Sequence, residues 1–160
     1  MGSGKTTVGR LLAERLSRVF VDSDEQLARR FGLSGREIEG RSGVDALHAA
    51  EVEALIEAIG ADEPSVVAAA GAVADSSEAL AALRGSAVAI VVLDSPLDVL
   101  THRMRAGDHR RSVSPDHFQS LTGRRRVVLC ALNPAIVLDT STATPEEAVD
   151  LIMQSMSGLR

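Results

Sequence analysis

The sequence holds no tryptophan and no tyrosine, and only three phenylalanines, Phe20, Phe31 and Phe118. Its core must therefore be built from Ala, Val, Leu and Ile. Base stacking, the usual grip on single-stranded nucleic acid, has almost no aromatic platform to use. A basic excess is missing too: 17 Lys and Arg face 22 Asp and Glu, for a net charge of -5. That balance argues against a duplex-binding face, which must neutralise phosphates. The lone cysteine, Cys130, excludes an intramolecular disulfide and fits a reducing compartment. No apolar run approaches the roughly 20 residues that span a bilayer, and the N-terminus carries no signal-peptide h-region. The expectation is a cytoplasmic protein without nucleic-acid or membrane partners, acting on a small molecule.

What is present is an α/β pattern. The 160 residues are 45% hydrophobic and 24% charged, enough for one domain with an adequate core. Apolar runs alternate with segments of helical period, as in a parallel sheet flanked by helices. Helices are expected over 6–17, 23–31, 34–40, 44–59, 77–83, 96–105 and 144–156. Gly32 stops the second, and Pro96 and Pro145 sit at N1 positions. "RVFVD", "SVVAAAG", "AVAIVVLD" and "AIVLD" read as strands. "AGDHRRSVSPD" reads as a mobile loop, a lid over about 107–118. No repeat, linker or low-complexity tract breaks the chain, so residues 1–160 form a single domain in this reading.

The chain opens "MGSGKTTVGRLLAERL". A complete phosphate-binding loop is G-x-x-x-x-G-K-[ST], in which backbone N–H groups cradle phosphates, the lysine neutralises β/γ charge and the hydroxyl holds Mg²⁺. Gly4, Lys5 and Thr6 match its last three positions, and Gly2 permits close backbone approach. The stretch Gly2, Ser3, Gly4, Lys5, Thr6 and Thr7 would line the phosphates of ATP. An ordinary helix start with a glycine-rich lead would look similar, but the strong helical pattern that follows at once favours the phosphate site. The strand that feeds such a loop normally lies mid-sheet. The expected fold is therefore a three-layer P-loop NTPase fold whose N-terminal central strand is missing from this chain, with Met1 an internal methionine of a longer protein.

With "GSGKTTVGR" and "VDSDEQLARRFGLSGREI" in view, the chain resembles the shikimate kinases, small P-loop enzymes that move the ATP γ-phosphate to a ring hydroxyl of shikimate. The resemblance runs from Met1 to about Leu93 and resumes from Arg124. It implies that Lys5 and a lid arginine, plausibly Arg110, cover the transferring oxygens, while Thr6 and, through water, Asp22 hold Mg²⁺. Asp24 would orient the attacking hydroxyl. Arg126, before the last strand, matches the family's substrate arginine, and Gly71 its glycine turn. On the adenine side, Asp139, Thr140 and Pro145 match the family's pattern, and Arg103 corresponds to an arginine that stacks on adenine. The run "DSDE" also suits the first turn of a helix, and both readings hold together for Asp24. Family enzymes are small, so a monomer is expected.

The acceptor side departs from the family. Leu47-His48 replaces a Phe-Arg pair whose arginine forks onto the shikimate carboxylate, a bidentate contact that imidazole cannot make. Ala69 and Ala70 replace two of three glycines, adding methyl groups where backbone approaches ligand. "RVVLC" replaces Arg-x-Pro-x-Tyr, and "RRSV" in the lid leaves a choice between Arg110 and Arg111. His48 reads equally well as a helix histidine with no ligand role. Arg124 and Arg125 read as solvated charges, Cys130 as a small core residue, and His102, His109 and His117 show no zinc spacing. The leading expectation is phosphorylation of shikimate. A kinase for another hydroxylated metabolite, such as a sugar acid, and a catalytically silent nucleotide-binding protein are the alternatives.

Overall fold

The computed structural model describes residues 2–105 and 115–157. It divides into two compact units, one formed by 1–8 with 89–160, the other by 9–88.

In the second unit, β1 (Val19–Asp22) pairs in parallel with β2 (Ser65–Ala68), in a register that sets Asp22 opposite Ala68. Helix α1 (Lys5–Leu16) precedes β1. The two meet closely: a Cβ on Gly9 would stand 2.6 Å from the Phe20 ring, so any larger residue there would have to displace that ring. Between the strands run α2 (Ser23–Phe31), α3 (Gly35–Ser42) and α4 (Val44–Ile59). Gly32 ends α2 in the left-handed region (φ 65°) and donates its N–H to the Ala28 carbonyl, as a helix-terminating glycine does. Ser34 starts α3 in a capping box with Glu37. Leu27, Ile38, Leu47 and Ala50 form one core cluster; Val52, Leu55, Val73 and Ala79 form another. After β2 come a short 3-10 helix over Gly71–Asp75 and α5 (Ser77–Gly85).

In the first unit, β3 (Val91–Asp94) pairs in parallel with β4 (Ile136–Asp139), Asp94 opposite Asp139. Helix α6 (Leu97–Arg105) follows β3, α7 (Pro115–Cys130) precedes β4, and α8 (Pro145–Ser157) follows it. Helix α7 packs on β3 and α8 on β4, burying Leu132, Leu138, Ala148, Val149 and Ile152.

Several expectations are corrected here. The third strand is four residues rather than eight, because its partner starts only after the turn at Asn133 (φ 54°) and Pro134. Pro96 stands one residue before its helix: its carbonyl accepts the first helical bond, from Leu100 N at 3.0 Å. Helix α7 has no counterpart in the sequence reading, and it makes residues 115–118 of the expected lid helical. Cys130, expected in the core, is exposed as the last residue of α7. Arg110, Arg111 and the other lid residues over 107–114 lie outside the described residues.

Candidate active site

The loop at residues 2–4 takes the conformation its glycines allow. Gly2 and Gly4 have φ of 76° and 84°, a region that side-chain-bearing residues rarely enter. At Gly2 a Cβ would also stand 3.1 Å from the Leu100 carbonyl oxygen, so the backbone lies flush against α6. Gly4 O accepts the first bond of α1, from Val8 N at 2.9 Å. Lys5 opens the helix half-buried, and Thr6 and Thr7 are exposed in its first turn. A glycine-bent turn feeding a helix start directs successive N–H groups outward and favours anions.

Asp22 ends β1 and is buried. Its Oδ1 accepts the Asp24 N–H at 2.9 Å, so Asp22 is the N-cap of α2 and Asp24 is the second residue of the helix. The helix-start reading of "DSDE" is met by both: Asp22 supplies the cap and Asp24 stands in the first turn. This cap fixes where Asp24 stands: a Cβ on Gly35 would lie 3.8 Å from its Oδ1. His48 is half-buried on α4, one residue after the core side chain Leu47. Gly71 opens the 3-10 helix after β2. Ala69 packs against the Val52–Leu55–Val73–Ala79 cluster. Its methyl therefore belongs to the core, and the expected obstruction by two methyls reduces to the one on Ala70.

At the carboxyl ends of β3 and β4, two acidic residues face each other in register and two arginines attend them. Arg126 Nε donates to Asp94 Oδ2 at 3.0 Å, with the arginine side chain 64% exposed. Asp139 accepts the Ser141 N–H at 2.8 Å. The Ser141 side chain first and then that bond, followed by the charges of Arg126 and Arg103, hold its carboxyl below the ordinary aspartate range. Arg103 reaches across to the same strand ends. Its Nη2 donates to Thr140 O at 2.8 Å and its Nη1 to Thr140 Oγ1 at 3.0 Å. Pro145 begins α8 behind a Thr144–Glu147 capping pair.

Sequence reading missed Ser95 and Asp94. A signal was present: β3 and β4 both end Leu-Asp followed by a hydroxyl residue, Leu93-Asp94-Ser95 and Leu138-Asp139-Thr140. The register brings the two triplets side by side, and Ser95 Oγ and Thr140 Oγ1 share a 2.8 Å hydrogen bond.

Among the described residues no three His, Cys, Asp or Glu cluster to hold a metal by themselves. The Thr6 hydroxyl in the first unit and the Asp22 carboxylate in the second are each hard oxygen donors of the kind that suits Mg²⁺, which keeps several waters and takes further ligands from phosphates. Among the described residues, no helix is long and apolar enough to cross a membrane.

The family model described as shikimate kinase matches residues 1–157. A shikimate kinase of Thermobifida fusca is 33% identical over 157 residues, covering 97% of this chain and 90% of that protein. One from Symbiobacterium thermophilum is 36% identical over 137 residues, covering 84% and 75%. Among solved structures, shikimate kinase from Aquifex aeolicus matches with a TM-score of 0.81 at 28% identity, covering 99% of this chain and 92% of that one. The Acinetobacter baumannii enzyme in complex with shikimate has the same fold, with a TM-score of 0.89 at 24% identity and coverage of 100% and 90%.

Proposed function

The chain belongs to the shikimate kinase family, and on that footing we propose that it transfers the γ-phosphoryl group of ATP to a hydroxyl of shikimate. The observation that carries this reading is the loop at Gly2–Thr6, bent by two left-handed glycines into the start of α1, in a chain matched to the family over residues 1–157. That unbroken match also supports one P-loop kinase domain. A cytoplasmic monomer is the working assumption.

Phosphoryl transfer asks a protein chiefly to position two oxygens and to neutralise charge. Here the amides of Gly2, Ser3 and Gly4 and the first turn of α1, with Thr7, bind the phosphates. Lys5 and a lid arginine, Arg110 or Arg111, neutralise the transferring group. Bound Mg²⁺, held by Thr6 and through water by Asp22, would supply further neutralisation. Asp24 accepts a hydrogen bond from the attacking hydroxyl, and the Asp22 cap holds it in place. Arg103 and Pro145 stand on the adenine side. On the acceptor side, Arg126 is assigned to the shikimate carboxylate, and His48 and Gly71 are assigned to the acceptor as well. The exposed Arg126–Asp94 pair is no obstacle, since pairs of this kind contribute about 1 kcal/mol or less, and an incoming carboxylate replaces one partner by another.

The test is ADP release from Mg-ATP with and without shikimate. Shikimate-dependent release that disappears in Lys5→Ala is the expected result. Release stimulated by another alcohol but not by shikimate would move the assignment to a different acceptor, the reading that His48 in place of an arginine favours. ATP binding with no turnover for any acceptor would leave a silent nucleotide-binding protein.

A further inference from the structure

Arg103 does more at the strand ends than border a nucleotide. Besides its two bonds to Thr140, its Nη1 lies 3.3 Å from Gly2 O and 3.3 Å from Ser95 Oγ. Thr140 Oγ1 in turn donates to Ser3 O at 3.1 Å, with Asp94 O at 3.2 Å. The hydroxyl residues are all but sealed: Ser3, Ser95 and Thr140 are 7%, 7% and 6% exposed. Guanidinium has donors and no acceptor, so Arg103 donates to both hydroxyl oxygens. With Ser95 donating to Thr140, the one Thr140 proton is shared between the carbonyls of Ser3 and Asp94. No buried side-chain polar atom of this group lacks a hydrogen-bond partner, as burial requires.

The consequence lies in the loop. A trans peptide plane points its C=O and its N–H in opposite directions, and the described residues contain no cis bond. With Gly2 O drawn to Arg103 and Ser3 O drawn to Thr140, the N–H groups of Ser3 and Gly4 must face away from this network. Those are amides a bound phosphate would use. We propose that Arg103 is a positioning residue of the phosphate loop, acting through Thr140 and Ser95 to turn the loop's amides outward, and that this role is independent of any contact with adenine. The proposal rests on the loop being the phosphate site.

A ligand with phosphates but no base separates the two roles. Binding of Mg-ATP and of magnesium tripolyphosphate would be measured by calorimetry for the wild type, Arg103→Met, Arg103→Lys, Thr140→Val and Thr140→Ser. Both ligands should bind about tenfold more weakly to Arg103→Met and to Thr140→Val, the loss expected for a hydrogen bond to a charged group. Thr140→Ser, which keeps the hydroxyl, should bind like the wild type. The Arg103→Met/Thr140→Val double variant should be no worse than the poorer single one, because both break one chain of contacts. Should Arg103→Met fail to fold, Arg103→Lys takes its place, since a lysine keeps the charge but cannot fork between Gly2 O and Thr140 O. A loss confined to ATP, or a Thr140→Val variant that binds both ligands normally, would overturn the proposal. The measurement needs no acceptor, so a wild type without shikimate-dependent turnover would sink the proposed reaction while leaving this comparison readable.

Discussion

At the scale of single residues, Asp22 holds two jobs that can be pulled apart. Its carboxylate caps α2 through the Asp24 amide, and the proposed reaction gives it a share in holding Mg²⁺. Asparagine caps a helix about as well as aspartate but brings no charge to a cation. Asp22→Asn should therefore keep its melting temperature and lose at least tenfold in kcat. Asp22→Ala should lose activity and also about 1 kcal/mol of stability, the usual worth of a cap. Thermal melts beside steady-state rates would decide, and an Asn variant with full activity would remove Asp22 from the metal's surroundings. Residues whose partners lie nearby in sequence were the legible ones: Gly2, Gly4 and Lys5 announce a loop by spacing alone, and "DSDE" announces a capped helix start. Arg103 was not legible in this way. Its contacts join it to Gly2 and Thr140, 101 and 37 residues away, and only the repeated Leu-Asp-Ser/Thr ending hinted at where they meet.

Among the elements, α2, α3 and α4 could be read because Gly32 and Ser34 mark where α2 ends and α3 begins and the apolar residues of α4 recur at helical spacing. Helix α7 could not. It carries Gly123, three consecutive arginines and a valine, Val127, that is 71% exposed. Its apolar residues therefore do not gather on one face. The start of α3 offers a test of its own. Glu37 accepts the Ser34 N–H at 2.8 Å and the Ser34 hydroxyl at 2.7 Å. Those two bonds, then the charge of Arg41, hold its carboxyl below the ordinary glutamate range. A carboxyl depressed by folding adds stability above its unfolded value, and that stability is lost as pH falls through the folded one. Glu37→Gln keeps an acceptor oxygen but cannot titrate. The wild type should therefore lose more stability than Glu37→Gln as pH drops from neutrality through the acid range. Parallel curves from urea melts at several pH values would rule the cap out as the source.

For the molecule as a whole, each unit carries its own pair of parallel strands, and nucleotide binding should register in global stability. A ligand at 100 times its Kd stabilises by about 2.7 kcal/mol, which for a chain of this size raises Tm by roughly 5–10 °C. Mg-ATP should produce that rise in the wild type and none in Lys5→Ala; an equal rise in both would detach Lys5 from the nucleotide. Lys5 has one further property, visible only across the whole chain. It is the single lysine among 17 basic residues, all the others being arginine. Apart from an α-amino group, the chain thus has one primary amine, and it stands at the mouth of the phosphate loop. An acylating reagent becomes a site-directed probe here without any design: one mass increment on one peptide reports whether the loop is open, and its suppression by bound nucleotide reports that the loop is filled.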